Sequence, residues 1–140
     1  MLLFVISSTF MNKQRDTLQK RQRLYLKRDF DALFAAKTKF IVAGPLKIHW
    51  ITQPLTDCYP VKFGVSVPKK KFANATDRNR IKRQIREAYR KNKLDIITST
   101  EAVKLSTLIL VIYNSTTKTT YKLIEENMIL GLRKIQKNNE

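Results

Sequence analysis

A single histidine, a single cysteine and three glycines in 140 residues leave most enzyme chemistries without their parts. A tetrahedral Cys/His zinc shell needs four such ligands, so His49 and Cys58 cannot build one, and a lone cysteine closes no internal disulfide. A reducing compartment, and hence the cytoplasm, is the expected location. Gly44, Gly64 and Gly131 lie too far apart for the dinucleotide or P-loop fingerprints, which excludes a glycine-rich cradle for a nucleotide phosphate. No apolar run approaches the roughly 20 residues of a membrane-spanning helix. Acids are scarce too, 11 against 28 Lys and Arg, and give little material for metal-assisted hydrolysis. The close acid pairs are Asp29/Asp31, near a predicted helix start where acids favour the dipole, and Glu125/Glu126, on the surface of another helix. His49 falls in a predicted strand and reads as a sheet residue rather than a general base.

What is present is enough for a folded core and far too much positive charge. Hydrophobic residues make up 43% of the chain, sufficient for one domain at this length. The formal charge of +17 opposes compaction unless a polyanion screens it, so nucleic acid is the leading partner and an anionic membrane surface the second. The charge is local: residues 13–28 hold seven bases and one acid, residues 69–93 hold eleven bases and two acids, and the remainder is nearly balanced. The first eleven residues, MLLFVISSTFM, lack the positive start and small-residue cleavage pattern of a secretory signal. We expect residues 1–19 to be a flexible extension with Met1 or Met11 as the start, residues 20–136 to form the domain, and 137–140 a tail.

Leu26, Phe30, Leu33 and Phe34 recur at helical spacing and predict a short first helix, after which Gly44-Pro45 breaks the chain. Lys47 to Gln53 reads as a strand ended by Pro54, and Val61 to Val67 as a second; the 53–60 loop between them predicts an antiparallel pair. Residues 77–93 form a second helix, with Asp77 or Thr76 as N-cap. The apolar run Ser106 to Tyr113 has the look of a strand covered on both faces. From Thr119 the chain ends in a helix with Leu123, Ile124, Met128, Leu132 and Ile135 on its buried stripe. The order α-β-β-α-β-α implies an α+β two-layer sandwich, a small sheet with helices packed on it.

The helix over 77–93 is the most informative part. Ile81, Ile85, Ala88 and Tyr89 share one side, while Asn79, Lys82, Arg83, Arg86 and Arg90 form an adjacent basic stripe. Only Glu87 is available as an intrahelical partner, and like charges at i,i+4 destabilise an isolated helix, so the pattern favours phosphate contact over a merely solvated face. A ribosomal or RNA-chaperone module shares this basicity and is the main alternative. A helix-turn-helix DNA binder is disfavoured because a strand and loop precede the basic helix. Membrane-surface binding is disfavoured because that helix lacks a broad apolar face for lipid.

The run Phe63-Gly-Val-Ser-Val-Pro-Lys-Lys, then Asn74-Ala75, then Arg78-Asn79-Arg80-Ile81-Lys82-Arg83, with Ile85-Arg86-Glu87 beyond, resembles the signature region of the bacterial ribonuclease P protein subunit. The resemblance extends more weakly over residues 20–136; Lys71 looks like an insertion, and Ala73 stands where the family often has glycine. It implies a ribosomal-protein-like sandwich with a left-handed β-α-β crossover around the basic helix, where topology alone predicts a right-handed one. It also implies a protein that assists a catalytic RNA subunit, one protein to one RNA, in removing the 5′ leader of precursor tRNA. By this resemblance Mg²⁺ serves the holoenzyme's RNA, no cofactor and no catalytic residue is expected on the protein, and no membrane partner. The RNA-binding residues it implies are Lys69, Lys70, Lys71, Asn74, Arg78, Asn79, Arg80, Lys82, Arg83, Arg86 and Arg90. Phe30 and Phe34 match the family's first-helix aromatics and are the candidates for a leader-binding cleft between that helix and the sheet.

Overall fold

The computed structural model describes Arg23, Leu24, Leu33 and residues 38–54 and 60–139. Strands β1 (Lys39–Ala43), β2 (Leu46–Pro54), β3 (Val61–Ser66) and β4 (Leu105–Tyr113) form one sheet in the order β1-β2-β4-β3. Two long helices, α1 (Ala75–Ala102) and α2 (Tyr121–Asn139), complete the described elements. The expected short helix over 26–35 and its residues Phe30 and Phe34 lie outside the described residues, apart from Leu33.

β4 organises the sheet because it is apolar on both faces. Ile109, Val111 and Tyr113 join Ile48 and Trp50 of β2 and Phe63 of β3 in the main core, against the helices. Leu108 and Leu110 face the other way and are covered by Leu24 and Leu33. The reading of 106–113 as a strand covered on both faces is therefore correct. The expected antiparallel pairing of β2 with β3 is not: β4 lies between them, antiparallel to β2 (Ile48↔Val111, Trp50↔Ile109) and parallel to β3 (Phe63↔Ile109). A strand with two buried faces is stabilised most by neighbours on both edges, and this outweighs the hairpin that a short connection favours.

β1 is not among the elements expected from the sequence, in which Gly44-Pro45 reads as a break. Ala43 pairs with Leu46, so Gly44 and Pro45 are the two central residues of a tight hairpin. Gly44 has φ +55, and a positive first position followed by proline's fixed negative φ suits the type II′ turn. A Cβ at Gly44 would also sit 2.6 Å from the Asn127 side chain of α2, so both the turn and the packing demand glycine.

The buried side of α1 is the expected Ile81, Ile85, Ala88 and Tyr89, continued by Ile96, Ile97 and Thr100. The cap is Asn74, whose side chain accepts from the Thr76 amide at 2.9 Å, rather than Thr76 or Asp77. Asp77 sits instead in the first turn and pairs with Lys118 at 2.8 Å. The helix runs nine residues past its expected end at 93, because packing on α2 overrides the weak propensity of Ile96-Ile-Thr-Ser-Thr. On α2, Ile124, Met128, Leu132 and Ile135 are buried as expected, but Leu123 is 41% exposed, one residue off the stripe. Asp77 meets Lys118 just before α2 begins, and the contacts Asn92–Glu125 and Ser99–Gln136 advance together along both helices, so α1 and α2 run in the same direction.

Two features of this packing make measurable predictions. Tyr89 stacks flat on Phe63, with ring centroids 3.9 Å apart, and its buried hydroxyl has no hydrogen-bond partner among the described residues. Burial alone pushes that phenol's pKa up. Tyr89→Phe keeps the stack and removes the desolvated hydroxyl, so urea melts should show unchanged stability or a gain of about 1 kcal/mol. Lys104 ends the α1–β4 connection at φ 56, a left-handed conformation that disfavours a side chain. Lys104→Gly should raise stability by roughly 0.5–1 kcal/mol in the same assay.

Candidate nucleic-acid interface

The sequence-predicted cations gather on the first half of α1 and the turn that leads into it. Pro68 O accepts from the amides of Lys71 and Phe72, both at 3.2 Å, closing the turn that carries Lys69 and Lys70 into solvent. Asn79, Arg80, Arg83 and Arg86 are exposed, and Lys82 is half-buried beside them. Arg80, Lys82, Arg83 and Arg86 have no ion-pair partner among the described residues. From Arg80 to Arg90 the helix rises by ten steps, about 15 Å. Ile81 and Ile85 anchor this helix at 2% and 0% exposure, so the cations stand on a rigid support rather than a mobile loop.

Not every predicted residue is presented to solvent in the same way. Arg90 lies against Glu87, with nitrogen–oxygen distances of 2.6 and 3.0 Å, the one intrahelical pairing foreseen from sequence. That hydrogen bond, reinforced by the charges of Arg90 and Lys91, holds the Glu87 carboxyl below its ordinary range despite some burial. Lys71 donates to Asn114 Oδ1 at 3.0 Å and is half-buried. Asn74 is exposed and acts as the N-cap. Arg78 turns back from its helix, Nη1 donating to Phe72 O at 2.9 Å and Ala73 O at 2.8 Å.

Three acids near this helix are engaged in structural contacts, while Asp95 and Glu101 on its second half are exposed. Besides Glu87 and Asp77, Glu125 accepts from Tyr121 Oη at 3.0 Å and Asn92 Nδ2 at 3.3 Å across the α1–α2 seam. Burial, with help from that carboxylate, pushes the Tyr121 phenol up to about 12. Glu126, its sequence neighbour, is exposed, so the two do not form a carboxylate pair. Among the described residues no three His, Cys, Asp or Glu side chains cluster closely enough to hold a metal ion. Cys58, Asp29 and Asp31 lie outside the described residues.

A second surface, on the sheet face turned away from the helices, was missed from sequence. The register Phe40↔His49↔Leu110 places Phe40 and His49 on the face that Leu24 and Leu33 cover further along. Phe40 is 55% exposed, its ring centroid 5.5 Å from that of His49 and 4.7 Å from Lys47 Nζ. Partial burial first, and Lys47 second, hold the His49 imidazole below its ordinary pKa. An aromatic, an imidazole and an ammonium at an open edge suit a nucleobase and its phosphate. The Phe40/Val42 alternation was the available signal, hidden because β1 was not recognised as a strand.

Comparison with known proteins agrees with this architecture. The family model described as Ribonuclease P matches residues 18–136. Curated proteins named Ribonuclease P protein component from Porphyromonas gingivalis and Nitrosomonas eutropha are 38% and 39% identical over 76 and 77 residues. These stretches cover 54% and 55% of this chain and 55% and 62% of the relatives' own length. The RNase P protein of Staphylococcus aureus superposes with a TM-score of 0.63 at 24% identity, over 81% of this chain and 94% of that one. That of Thermotoga maritima gives 0.61 at 25% identity, over 79% and 96%. With the family model matched across almost the whole described fold, the chain belongs to the Ribonuclease P family of protein components.

Proposed function

We propose that this chain is the protein subunit of a ribonucleoprotein endoribonuclease, binding a catalytic RNA subunit and the 5′ leader of precursor tRNA in the cytoplasm. The observation that carries the reading is the exposed surface of Arg80, Arg83 and Arg86 on a buried-anchored helix, with Lys69 and Lys70 beside it. Such a surface exchanges condensed counterions for fixed cations and holds RNA by its backbone. The leader runs over the opposite sheet face, where Phe40, His49 and Lys47 offer stacking and charge to a single strand. Phe30 and Phe34 are assigned to the same path by family resemblance. Hydrolysis, with its Mg²⁺, belongs to the RNA subunit in this reading; Glu87, Asp77 and Glu125 are engaged with Arg90, Lys118, Tyr121 and Asn92. The protein's contribution is electrostatic: it lets two polyanions approach at lower Mg²⁺ and favours leader-bearing precursor over product.

Reconstitution with the cognate RNA subunit tests this directly. The chain alone should leave precursor tRNA intact and should accelerate RNA-subunit cleavage at low Mg²⁺; cleavage by RNA-free protein at near-equimolar ratio would refute the assignment. A salt series tests the surface itself. Arg83→Ala and Arg86→Ala should each flatten the slope of log affinity against log salt by roughly 0.7–0.9. Both variants should keep stability within about 0.5 kcal/mol of the parent in thermal melts. Ile85→Lys, which buries an unpaired charge, should cost about 3–5 kcal/mol and unfold the domain.

A further inference from the structure

We propose that Arg78 is a positioning residue: its guanidinium fixes the turn that presents Lys69 and Lys70 to RNA, a role that rests on the RNA-binding reading above. Arg78 and Arg80 flank the same asparagine and are the same residue type, yet their surroundings differ. Arg80 is exposed, whereas Arg78 is half-buried and directs both hydrogens of Nη1 at the chain's own backbone, Phe72 O and Ala73 O. Those two carbonyls belong to the residues joining the lysine turn to the Asn74 cap.

The segment needs such a tie. Lys69-Lys70-Lys71-Phe72-Ala73-Asn74 contains neither proline nor glycine, and three adjacent ammonium groups repel one another. Besides the two amides that bond to Pro68 O, its anchors are the buried Phe72 ring, 5.6 Å from the Tyr113 ring, and the Lys71–Asn114 hydrogen bond. The first two hold amides and the last two hold side chains, and none of them holds the carbonyls of 72 and 73. Arg78 N also donates to Asn74 O at 3.2 Å, so the residue that starts the helical hydrogen-bond ladder also grips the strand of chain before it. A planar guanidinium reaches two successive carbonyls from one nitrogen, and a lysine ammonium at the end of a flexible stem would not hold both in one geometry.

A double-mutant cycle separates this role from direct phosphate contact. Affinity for the cognate RNA subunit is measured across a salt series for Arg78→Ala, for Lys69→Ala/Lys70→Ala, and for all three together. Arg78→Ala should weaken binding by roughly three- to tenfold in the parent and by less than twofold where the two lysines are already gone. Equal losses in both backgrounds, or no loss in either, would overturn the proposal. Arg78→Lys, the milder variant, should restore less than half of the lost log affinity; full rescue would mean that charge alone suffices and would overturn it too. Amide exchange provides the readout independent of RNA: Arg78→Ala should speed exchange at Lys71 and Phe72 about tenfold while Ile109 to Val111 of β4 stay protected. Unchanged exchange at the turn would refute the clamp. If the lysine pair proves silent in binding while Arg83→Ala still flattens the salt slope, the positioning proposal fails and the α1 reading stands.

Discussion

The burial of β4 on both faces is the constraint from which the rest of the molecule follows. Its helix-facing residues need a layer of side chains from α1 and α2, and Leu108 and Leu110 need a second cover, which Leu24 and Leu33 supply. A strand so enclosed takes neighbours on both edges, and that placement makes β3 its parallel partner. Parallel neighbours require a long connection, and α1 is that connection. The helix carrying the basic residues is thus pinned along the core by topology and by Ile81, Ile85, Ala88 and Tyr89 before any ligand arrives.

On α1 the buried apolar side and the exposed basic side are separated by angle around one cylinder. Side chains at 81, 85, 88 and 89 are withdrawn from water, and those at 80, 83 and 86 are left in it. Under the proposed function, ordering these arginines on a prebuilt helix lowers the entropy lost on binding RNA, since only side-chain rotamers remain to be fixed. Repulsion among the cations works against the helix, and the buried side more than compensates: each large apolar side chain withdrawn contributes roughly 1.5–3 kcal/mol.

Much of this was visible in the sequence. The period of 3.6 separates the two sides of α1, and the unbroken apolar run of β4 announces double coverage. The signature around Arg78-Asn79-Arg80 named the family. What stayed hidden depended on partners distant in sequence. β1 is an edge strand whose Phe40/Val42 alternation leaves apolar side chains exposed and only Ile41 packed on the core, so its pattern does not mark a buried face. The insertion of β4 between β2 and β3 is a competition between a short loop and a buried strand, and only the second term reflects the whole core. Asn74, Thr76 and Asp77 are all competent caps; where the helix starts is set by the path of the chain before it, including the carbonyls that Arg78 holds. The end of α1 is likewise decided by α2, through contacts such as Ser99 with Gln136.

The common direction of α1 and α2 has an electrical consequence. Side-by-side helices of the same sense add their macrodipoles, so both positive poles fall at the end of the molecule that carries Lys69, Lys70 and Lys118. The opposite end carries Asp95 and Glu101 on α1 beside Arg133, Lys134 and Lys137 on α2, so the polarity comes from the two helix dipoles. The protein is therefore a vector as well as a net cation. Under the proposed function, the field of a polyanion would exert a torque that turns this lysine-bearing end inward during diffusion, before any hydrogen bond has formed.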